Sequence, residues 1–169
     1  MCCKFHICNY QHTLLNMEHI IVIPDFVENN NVSLFEKIWT MVDWTKINYF
    51  KRHICHYDGS VNEINAMIRM VETQFARHVT GVFLNYYENG NEYAPYHADK
   101  YESDTCLISL GATRTLRYKH NTTKINTDYE LNNGDLLFIP DMLNNNYKHS
   151  LLKRTKLTEK RISILLFLE

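Results

Sequence analysis

His97 and Asp99 are the residues of this 169-residue chain whose types and spacing most directly suggest chemistry. They stand two positions apart in a segment of strand-like composition, and side chains two apart on a strand point to the same face of a sheet. An imidazole and a carboxylate on one face are two of the three ligands in the 2-His-1-carboxylate triad, which holds non-haem Fe(II) with positions left for substrate and oxygen. The third ligand must come from elsewhere in the chain.

A second pair with the same spacing, His56 and Asp58, shows that the spacing alone is not diagnostic. That pair runs into an Asp-Gly-Ser turn ahead of a helical pattern, whereas His97 and Asp99 are followed by several strand-like segments. The context therefore favours His97 and Asp99 as ligands, with an ordinary pair of surface residues as the alternative.

His149 and Arg161 follow in the order that such a site needs. His149 comes after a turn and a buried strand predicted over residues 131–140, and Arg161 begins the last predicted strand twelve residues later. Both faces of that strand have buried character, and a buried arginine needs an anionic partner. The sequence thus predicts a metal held by three side chains with an anion-binding arginine beside it.

The elements that must position these residues fall into two parts, of which the first is helical. Residues 1–18 show no periodicity and are predicted to be a tail or a short strand, and residues 19–23 read as a strand. Apolar residues recur at helical spacing from Ser33 onwards and again over residues 62–79. Between them, residues 44–60 break the period and are predicted as a strand or loop excursion.

After Gly81 the chain consists of short segments rich in β-branched, leucine and aromatic residues. Seven strands are predicted, over residues 81–87, 94–99, 105–111, 114–120, 135–140, 146–152 and 161–169. Two helices followed by these strands predict an α+β domain, a sandwich or double-sheet jelly roll with the helices packed on one sheet. No linker divides the chain, so we expect residues 1–169 to form one domain.

Composition excludes several other classes of protein. The net charge of −1 gives no global attraction to nucleic acid or to anionic membranes, so a polyanion would have to meet a local basic patch. Five cysteines without a C-x-x-C pair predict a reducing intracellular compartment, the nucleus or cytoplasm, including that of a host cell for a viral protein. No apolar run reaches the roughly 20 residues of a membrane span, and we expect a monomer without a membrane partner.

Taken together, the motifs of residues 81–169 resemble the AlkB-type Fe(II) and 2-oxoglutarate-dependent dioxygenases, most closely their animal DNA-repair branch. The matching pieces are Asn-x-Tyr at 85–87, His-x-Asp at 97–99, Ile-Ser-Leu-Gly at 108–111 with Arg114, Asn-Gly-Asp-Leu-Leu at 133–137, Lys-His-Ser at 148–150 and Arg-Ile-Ser at 161–163. Residues 81–169 would then form the jelly-roll core, a double-stranded β-helix. Residues 19–80 resemble the family's N-terminal helices and nucleotide-recognition lid more loosely.

The resemblance implies a cofactor set and a reaction. Fe(II) would be held by His97, Asp99 and His149. The cosubstrate 2-oxoglutarate would form a bidentate salt bridge with Arg161 in a pocket completed by Asn85, Tyr87 and Ser163. With O2, such an enzyme demethylates N-alkylated bases, single-stranded DNA or RNA being favoured, and releases succinate, CO2 and formaldehyde.

Two positions depart from the family pattern. In the family the last strand carries a second arginine six residues after the first, and here that position is Phe167. This change predicts weaker cosubstrate binding or a transfer of the duty to Lys119 or Arg117. The family's substrate-contacting carboxylate, two residues after the metal-binding aspartate, is replaced by Tyr101, and the acid is displaced to Glu102. The identity of the substrate therefore stays open.

Candidates for substrate contact come mainly from the excursion before the second helix. A methylated base must be held between flat groups, so Tyr57 and Tyr49 are candidates to cover it opposite His97, with lid or core packing as the alternative. Arg52 is placed to meet phosphate. A second basic group, which could instead be a solvated loop, comprises Lys148, Lys153, Arg154, Lys156 and Lys160.

Two other functions remain open on the sequence. The first is a 2-oxoglutarate oxygenase that acts on a protein side chain or a small molecule, which Tyr101 and the near-neutral charge permit. The second is a nucleic-acid-binding homologue with weakened or lost catalysis, of which Phe167 would be the first sign.

Overall fold

A computed structural model describes residues 19–28, 32–47, 52–100 and 102–169, so the predicted tail lies outside the described residues. In chain order the elements are β1 (Ile21–Ile23), α1 (Val32–Met41), β2 (Thr45–Ile47), β3 (Arg52–His56), α2 (Asn62–Phe75), β4 (Val79–Tyr87), β5 (Ala94–His97), β6 (Asp104–Gly111), β7 (Arg114–His120), β8 (Asn126–Leu131), β9 (Leu136–Ile139), α3 (Leu143–Asn146), β10 (Tyr147–Leu151) and β11 (Arg161–Leu168).

Two antiparallel sheets form the framework. Over the described ranges the larger has seven strands in the order β1-β9-β6-β11-β4-β3-β2, and the smaller has four in the order β5-β10-β7-β8. β11 lies at the centre of the larger sheet and pairs along its whole length with both β4 and β6. The alternation of apolar residues in β11 explains this place, because Ile162, Ile164, Leu166 and Leu168 are all fully buried. The predicted α+β fold with two sheets is confirmed.

Both long helices pack on the larger sheet, as predicted. Their apolar residues share one core with those of β4, β6, β9 and β11; the helical members of that core are Leu34, Phe35, Ile38, Ile64, Met67, Val71 and Phe75. α2 ends at Phe75, four residues before its predicted end. Ala76 adopts a left-handed conformation with φ of 51°, and the N–H of Val79 donates to the Glu72 carboxylate. The chain has therefore already turned into β4 at Val79.

The excursion predicted over residues 44–60 contains an antiparallel hairpin of β2 and β3, which extends the larger sheet beside β4. The described part of this hairpin continues the sheet and shows no separate lid. Its aromatic neighbours explain the attachment, because the Trp39 ring stacks on Tyr86 of β4 at 4.0 Å and on Trp44 at 5.9 Å. An aromatic-rich stretch without clear periodicity thus proves to be a sheet edge.

Two further differences concern the smaller sheet. β8 was not predicted, because its residues are polar and mostly exposed, and it is held as an edge strand by its pairing with β7. The strand predicted over 94–99 ends at His97, where the pairing with β10 stops. Asp99 therefore lies just beyond β5. None of the helices in the described ranges is both long and apolar enough to cross a membrane.

Candidate active site

The three predicted metal ligands meet at one end of the smaller sheet. His97 and His149 are direct partners in the register between β5 and β10, and their rings lie 4.3 Å apart. Asp99 reaches both, with Oδ1 3.6 Å from His97 Nε2 and Oδ2 3.5 Å from His149 Nε2. One ligand atom from each residue lies within 4.8 Å of the other two. Residues far apart in sequence are thus gathered into a single donor set.

Local structure fixes how His97 and Asp99 present their atoms. His97 Nδ1 lies 2.7 Å from the carbonyl oxygen of Pro95, and because a carbonyl only accepts, Nδ1 carries the hydrogen. In the neutral ring this leaves Nε2 as the nitrogen without a hydrogen, which is the one that can bind a metal. The backbone N–H of Asp99 donates to the side chain of Asn144 in α3 at 3.3 Å. His97 and Asp99 therefore present their ligand atoms to the same side of the smaller sheet, although only His97 is part of β5.

His149 is the most enclosed of the three ligands. Its side chain is 11% exposed, against 31% for His97 and 25% for Asp99, and its ring lies 5.3 Å from that of Tyr118. Burial lowers the pKa of His149 to about 4, with Asp99 opposing the shift. The imidazole is therefore neutral at physiological pH, the state in which histidine binds metals.

The donor set fits a divalent first-row metal ion. Two ligand atoms that are each about 2.1 Å from one ion and about 90° apart are roughly 3 Å from each other, close to the 3.5 and 3.6 Å found here. Two imidazole nitrogens and one carboxylate are the ligands of a facial triad, which leaves the remaining positions open. The arrangement can hold Fe(II) without rearrangement of the strands.

A buried cation borders the same cavity from the larger sheet. Arg161 is 1% exposed, and its Nε donates to Ser109 Oγ at 3.2 Å. Its Nη2 is buried and has no hydrogen-bond partner within the described structure. The pKa of Arg161 is lowered to about 10, mainly by burial, with Tyr87 opposing the shift and nearby Arg114 contributing to it. The guanidinium thus stays charged at neutral pH with a donor to spare, which fits an anionic ligand.

The polar residues predicted beside Arg161 line the same cavity, and their binding of the cosubstrate stays a prediction. Asn85 of β4 and Ser163 of β11 are register partners, and Asn85 Nδ2 lies 3.5 Å from Ser163 Oγ. The Asn85 Oδ1 atom is buried without a hydrogen-bond partner in the described ranges. The Tyr87 ring lies 5.7 Å from the guanidinium carbon of Arg161. Asn85 and Arg161, which both line the cavity, thus each have one buried polar atom without a hydrogen-bond partner in the described structure.

Apolar side chains complete the wall of this cavity. They come from both sheets: Phe83, Ala94, Leu107, Leu116, Leu151 and Leu165. Arg52 of β3 also lines the cavity, as do the three metal-type ligands, Asn85, Tyr87, Arg161 and Ser163. Such a wall excludes water around the polar groups and strengthens their electrostatic interactions.

Of the three predicted substrate-contacting residues that the structure describes, only Arg52 lines the cavity. Tyr57 does not line it: its hydroxyl donates towards the carbonyl oxygen of Val61 at 2.6 Å and accepts from the Val61 N–H at 2.7 Å. The hydroxyl of Tyr57 is thus bonded to the start of α2, and the contact of Tyr57 with a base stays a prediction. Glu102 is exposed and also lies off the cavity wall. Tyr49 and Tyr101 lie outside the described residues.

Neither residue proposed to replace the second family arginine lines the cavity. Arg117 forms a two-point ion pair with Asp128 of β8, with contacts of 2.5 and 2.6 Å. The Lys119 Nζ lies over the ring of Tyr96 at 5.6 Å. Both side chains are thus engaged elsewhere, and the expectation that one of them would take over the anion contact is not met.

Arg114 lies close to the site, and no role was predicted for it from the sequence. It is completely buried, and its guanidinium carbon lies 5.7 Å from the Tyr87 ring. Its hydrogen bonds go to the carbonyl oxygens of Asn89, Glu92 and Leu152. Hydrogen bonds to backbone carbonyls cannot be recognised in a sequence. The signal that could have identified Arg114 is the position of an arginine at the start of a buried strand.

Several solved structures share the fold of this chain. The chain is 12% identical to a prolyl-4-hydroxylase from Pseudomonas putida, with a TM-score of 0.66 over 89% of this chain and 91% of that one. It is 13% identical to OsALKBH1, with a TM-score of 0.65 over 88% and 97%. It is 11% identical to a Trichoplax adhaerens prolyl hydroxylase solved with a hypoxia inducible factor oxygen degradation domain peptide, with a TM-score of 0.68 over 92% and 86%. The TM-scores show a shared fold, and at identities this low the likeness shows nothing more.

The sequence comparison is more specific. No curated protein matches the chain, but the profile of the 2OG-Fe(II) oxygenase superfamily matches residues 45–165. That range includes the three ligands His97, Asp99 and His149, together with Arg161. The chain therefore belongs to the 2OG-Fe(II) oxygenase superfamily and is a dioxygenase whose cofactors are Fe(II) and 2-oxoglutarate.

Proposed function

We propose that this dioxygenase is an AlkB-like oxidative demethylase of N-alkylated bases in nucleic acid. In this proposal His97, Asp99 and His149 hold Fe(II), and Arg161 pairs with the distal carboxylate of 2-oxoglutarate. The observation that carries the proposal is the convergence of these four residues and the Asn-x-Tyr motif of β4 on one cavity. These are the motifs through which the chain resembles that family.

The chain's own residues bind, orient and exclude water. The Pro95 carbonyl holds the His97 ring with Nε2 free, and the unpaired Nη2 of Arg161 orients the dicarboxylate. When bound, Fe(II) lets O2 oxidise both 2-oxoglutarate, to succinate and CO2, and an N-methyl group, each taking one oxygen atom. The C–N bond then breaks, its electron pair returns to the ring nitrogen, and the hydroxymethyl group leaves as formaldehyde after giving up its O–H proton.

A local basic patch supports nucleic acid as the substrate class. Lys119 of β7 and Lys148 of β10 stand directly opposite each other in the smaller sheet, and neither forms an ion pair with any residue of the described ranges. Like charges at such a position repel. Tyr96, 41% exposed, lies beside Lys119. Because these three side chains alternate with His97 and His149 along their strands, they lie on the outer face of the sheet. A phosphate chain would relieve the repulsion there while a base outside the reaction site stacks on the tyrosine.

Product analysis tests the reaction directly. The protein is incubated with Fe(II), 2-oxoglutarate and single-stranded DNA or RNA oligonucleotides that carry 1-methyladenine or 3-methylcytosine, and the bases are measured by mass spectrometry. We expect loss of the methyl group together with succinate formation, and neither in the His97→Ala control. Consumption of 2-oxoglutarate without demethylation of any oligonucleotide would refute the demethylase and leave an oxygenase that acts on another substrate.

Charge reversal tests the basic patch. The double variant Lys119→Glu/Lys148→Glu should bind single-stranded oligonucleotides more weakly and reduce the salt dependence of binding, with the slope falling by about 1.4 for two lost phosphate contacts. The matched control is Lys153→Glu/Lys156→Glu, which makes the same change in the predicted basic loop. Equal losses in the two variants would point to a general charge effect and contradict a specific patch.

A further inference from the structure

Arg114 is a buried cation that no acidic residue neutralises within the described structure. It is 0% exposed, takes part in no ion pair there, and its Nε has no hydrogen-bond partner. Its Nη2 donates to the carbonyl oxygens of Glu92 and Leu152, each at 2.8 Å, and its Nη1 to that of Asn89 at 3.4 Å. A buried charge satisfied mainly by carbonyls is costly, which calls for a reason beyond stability.

The acceptors of Arg114 belong to two segments next to the active site. Asn89 and Glu92 lie in the connection from β4, which carries Asn85 and Tyr87, to β5, which carries His97. Leu152 directly follows β10, which carries His149. Arg114 thus ties the elements of the anion pocket to those of the metal ligands.

Tyr87 links Arg114 to the proposed anion-binding arginine. The guanidinium carbons of Arg114 and Arg161 both lie 5.7 Å from the centre of the Tyr87 ring. An aromatic ring attracts a cation at this distance, so a ring flanked by two guanidinium groups is held by both. The position of Tyr87, and with it that of Arg161, therefore depends on Arg114.

We propose that Arg114 is a positioning residue for the distal carboxylate of 2-oxoglutarate. It holds Tyr87 and thereby Arg161 in place, and it adds a second positive charge beside the pocket. The position of the family's second arginine, Phe167, lies at the other end of β11. The inference rests on the proposed role of Arg161 in binding the cosubstrate. It assigns to another residue of β7 the task that the sequence had suggested for Arg117 or Lys119.

Two ligands separate positioning from general stability. 2-Oxoglutarate has a distal carboxylate, whereas 2-oxopentanoate keeps the 2-oxo acid group and lacks it. Binding of each to Mn(II)-loaded protein is measured by titration calorimetry, so that no turnover is needed. Arg114→Met should weaken 2-oxoglutarate about tenfold and leave 2-oxopentanoate within about twofold. Arg114→Lys keeps the charge and should recover part of the loss. The control Arg117→Met, on the same strand, should bind both ligands like the wild type.

The outcomes distinguish the inference from the function on which it rests. If Arg161→Met binds 2-oxoglutarate as tightly as the wild type, the role of Arg161 fails and the inference fails with it. If Arg161→Met loses affinity but Arg114→Met does not, or if Arg114→Met weakens both ligands equally, only the positioning role is overturned. Circular dichroism checks folding. If Arg114→Met does not fold, Arg114→Lys is the test, because a lysine cannot reach all three carbonyl oxygens. Wild-type affinity of Arg114→Lys for 2-oxoglutarate would then refute the positioning role.

Discussion

Replacing Gly90 with alanine tests how tightly the segment between β4 and β5 packs against the chain that follows β10. A Cβ atom on Gly90 would lie 1.8 Å from the carbonyl oxygen of Arg154, 2.7 Å from its carbonyl carbon and 2.8 Å from the Cβ of Leu157. The two shortest contacts are with backbone, so no side-chain rotation relieves them. The two segments must move apart.

The size of the effect follows from what that movement breaks. The Gly90 N–H donates to the Leu157 carbonyl at 2.9 Å, and the Arg154 N–H donates to the Gly90 carbonyl at 2.8 Å. Loss of both hydrogen bonds removes about 2 kcal/mol, and overpacking adds about 1–3 kcal/mol. We expect the free energy of unfolding to fall by about 3–5 kcal/mol, which corresponds to a Tm lowered by roughly 6–20 °C in a domain of this size.

Urea denaturation of Gly90→Ala beside Gly59→Ala gives the comparison. Gly59 has a φ of +92° and nothing within 4 Å of an added Cβ, so its substitution should cost only backbone strain of about 1–2 kcal/mol. The affinity for 2-oxoglutarate should also fall in Gly90→Ala, because Arg114 is anchored on the same segment. A Gly90→Ala protein as stable as Gly59→Ala would refute the reasoning.

Three further predictions concern the ligands and their supports. The metal-free protein should lose stability as the pH falls from about 6.5 towards 4, because the pKa of His149 is about 4 when folded and the unfolded chain takes up its proton first; denaturation curves of His149→Gln should show a flatter pH dependence, and an unchanged slope would contradict this. Ser109→Ala should leave Arg161 Nε without its partner and raise the Kd for 2-oxoglutarate about fivefold by calorimetry; unaltered binding would show that the contact is dispensable. Asp135→Ala should lower the free energy of unfolding by about 2–3 kcal/mol, since its carboxylate accepts two backbone N–H groups; a loss no larger than that of Asp135→Asn would argue against this.

The parts of the structure that could be predicted are those in which side chains follow a period or stand in a motif. The apolar stripe of α2 and the alternation in β11 placed both elements correctly in the core. The spacing of His97 and Asp99 identified two members of the donor set, and their gathering with His149 is seen in the structure. These features depend on residue type at fixed intervals, which a sequence displays.

The parts that could not be predicted depend on backbone groups and on contacts across the fold. The hydroxyl of Tyr57 bonds to the backbone of Val61 instead of facing the cavity, and composition cannot distinguish these two uses of a tyrosine. The acceptors of Arg114 are carbonyl oxygens, which every residue possesses. The polar edge strand β8 is held by its pairing with β7 and not by burial of its own side chains.

The metal ligand His97 and the anion-binding Arg161 lie on strands that differ greatly in how many backbone hydrogen bonds hold them in their sheets. Arg161 and Ser163 lie on β11, which is hydrogen-bonded to a neighbour on each side along eight register pairs. His97 lies on β5, which among the described residues is an edge strand with a single neighbour and two register pairs. Amide hydrogens should therefore exchange with solvent early around His97 and only on global unfolding around Arg161. Local opening of β5 gives the metal ion a route in and out that leaves the pocket for the dicarboxylate intact.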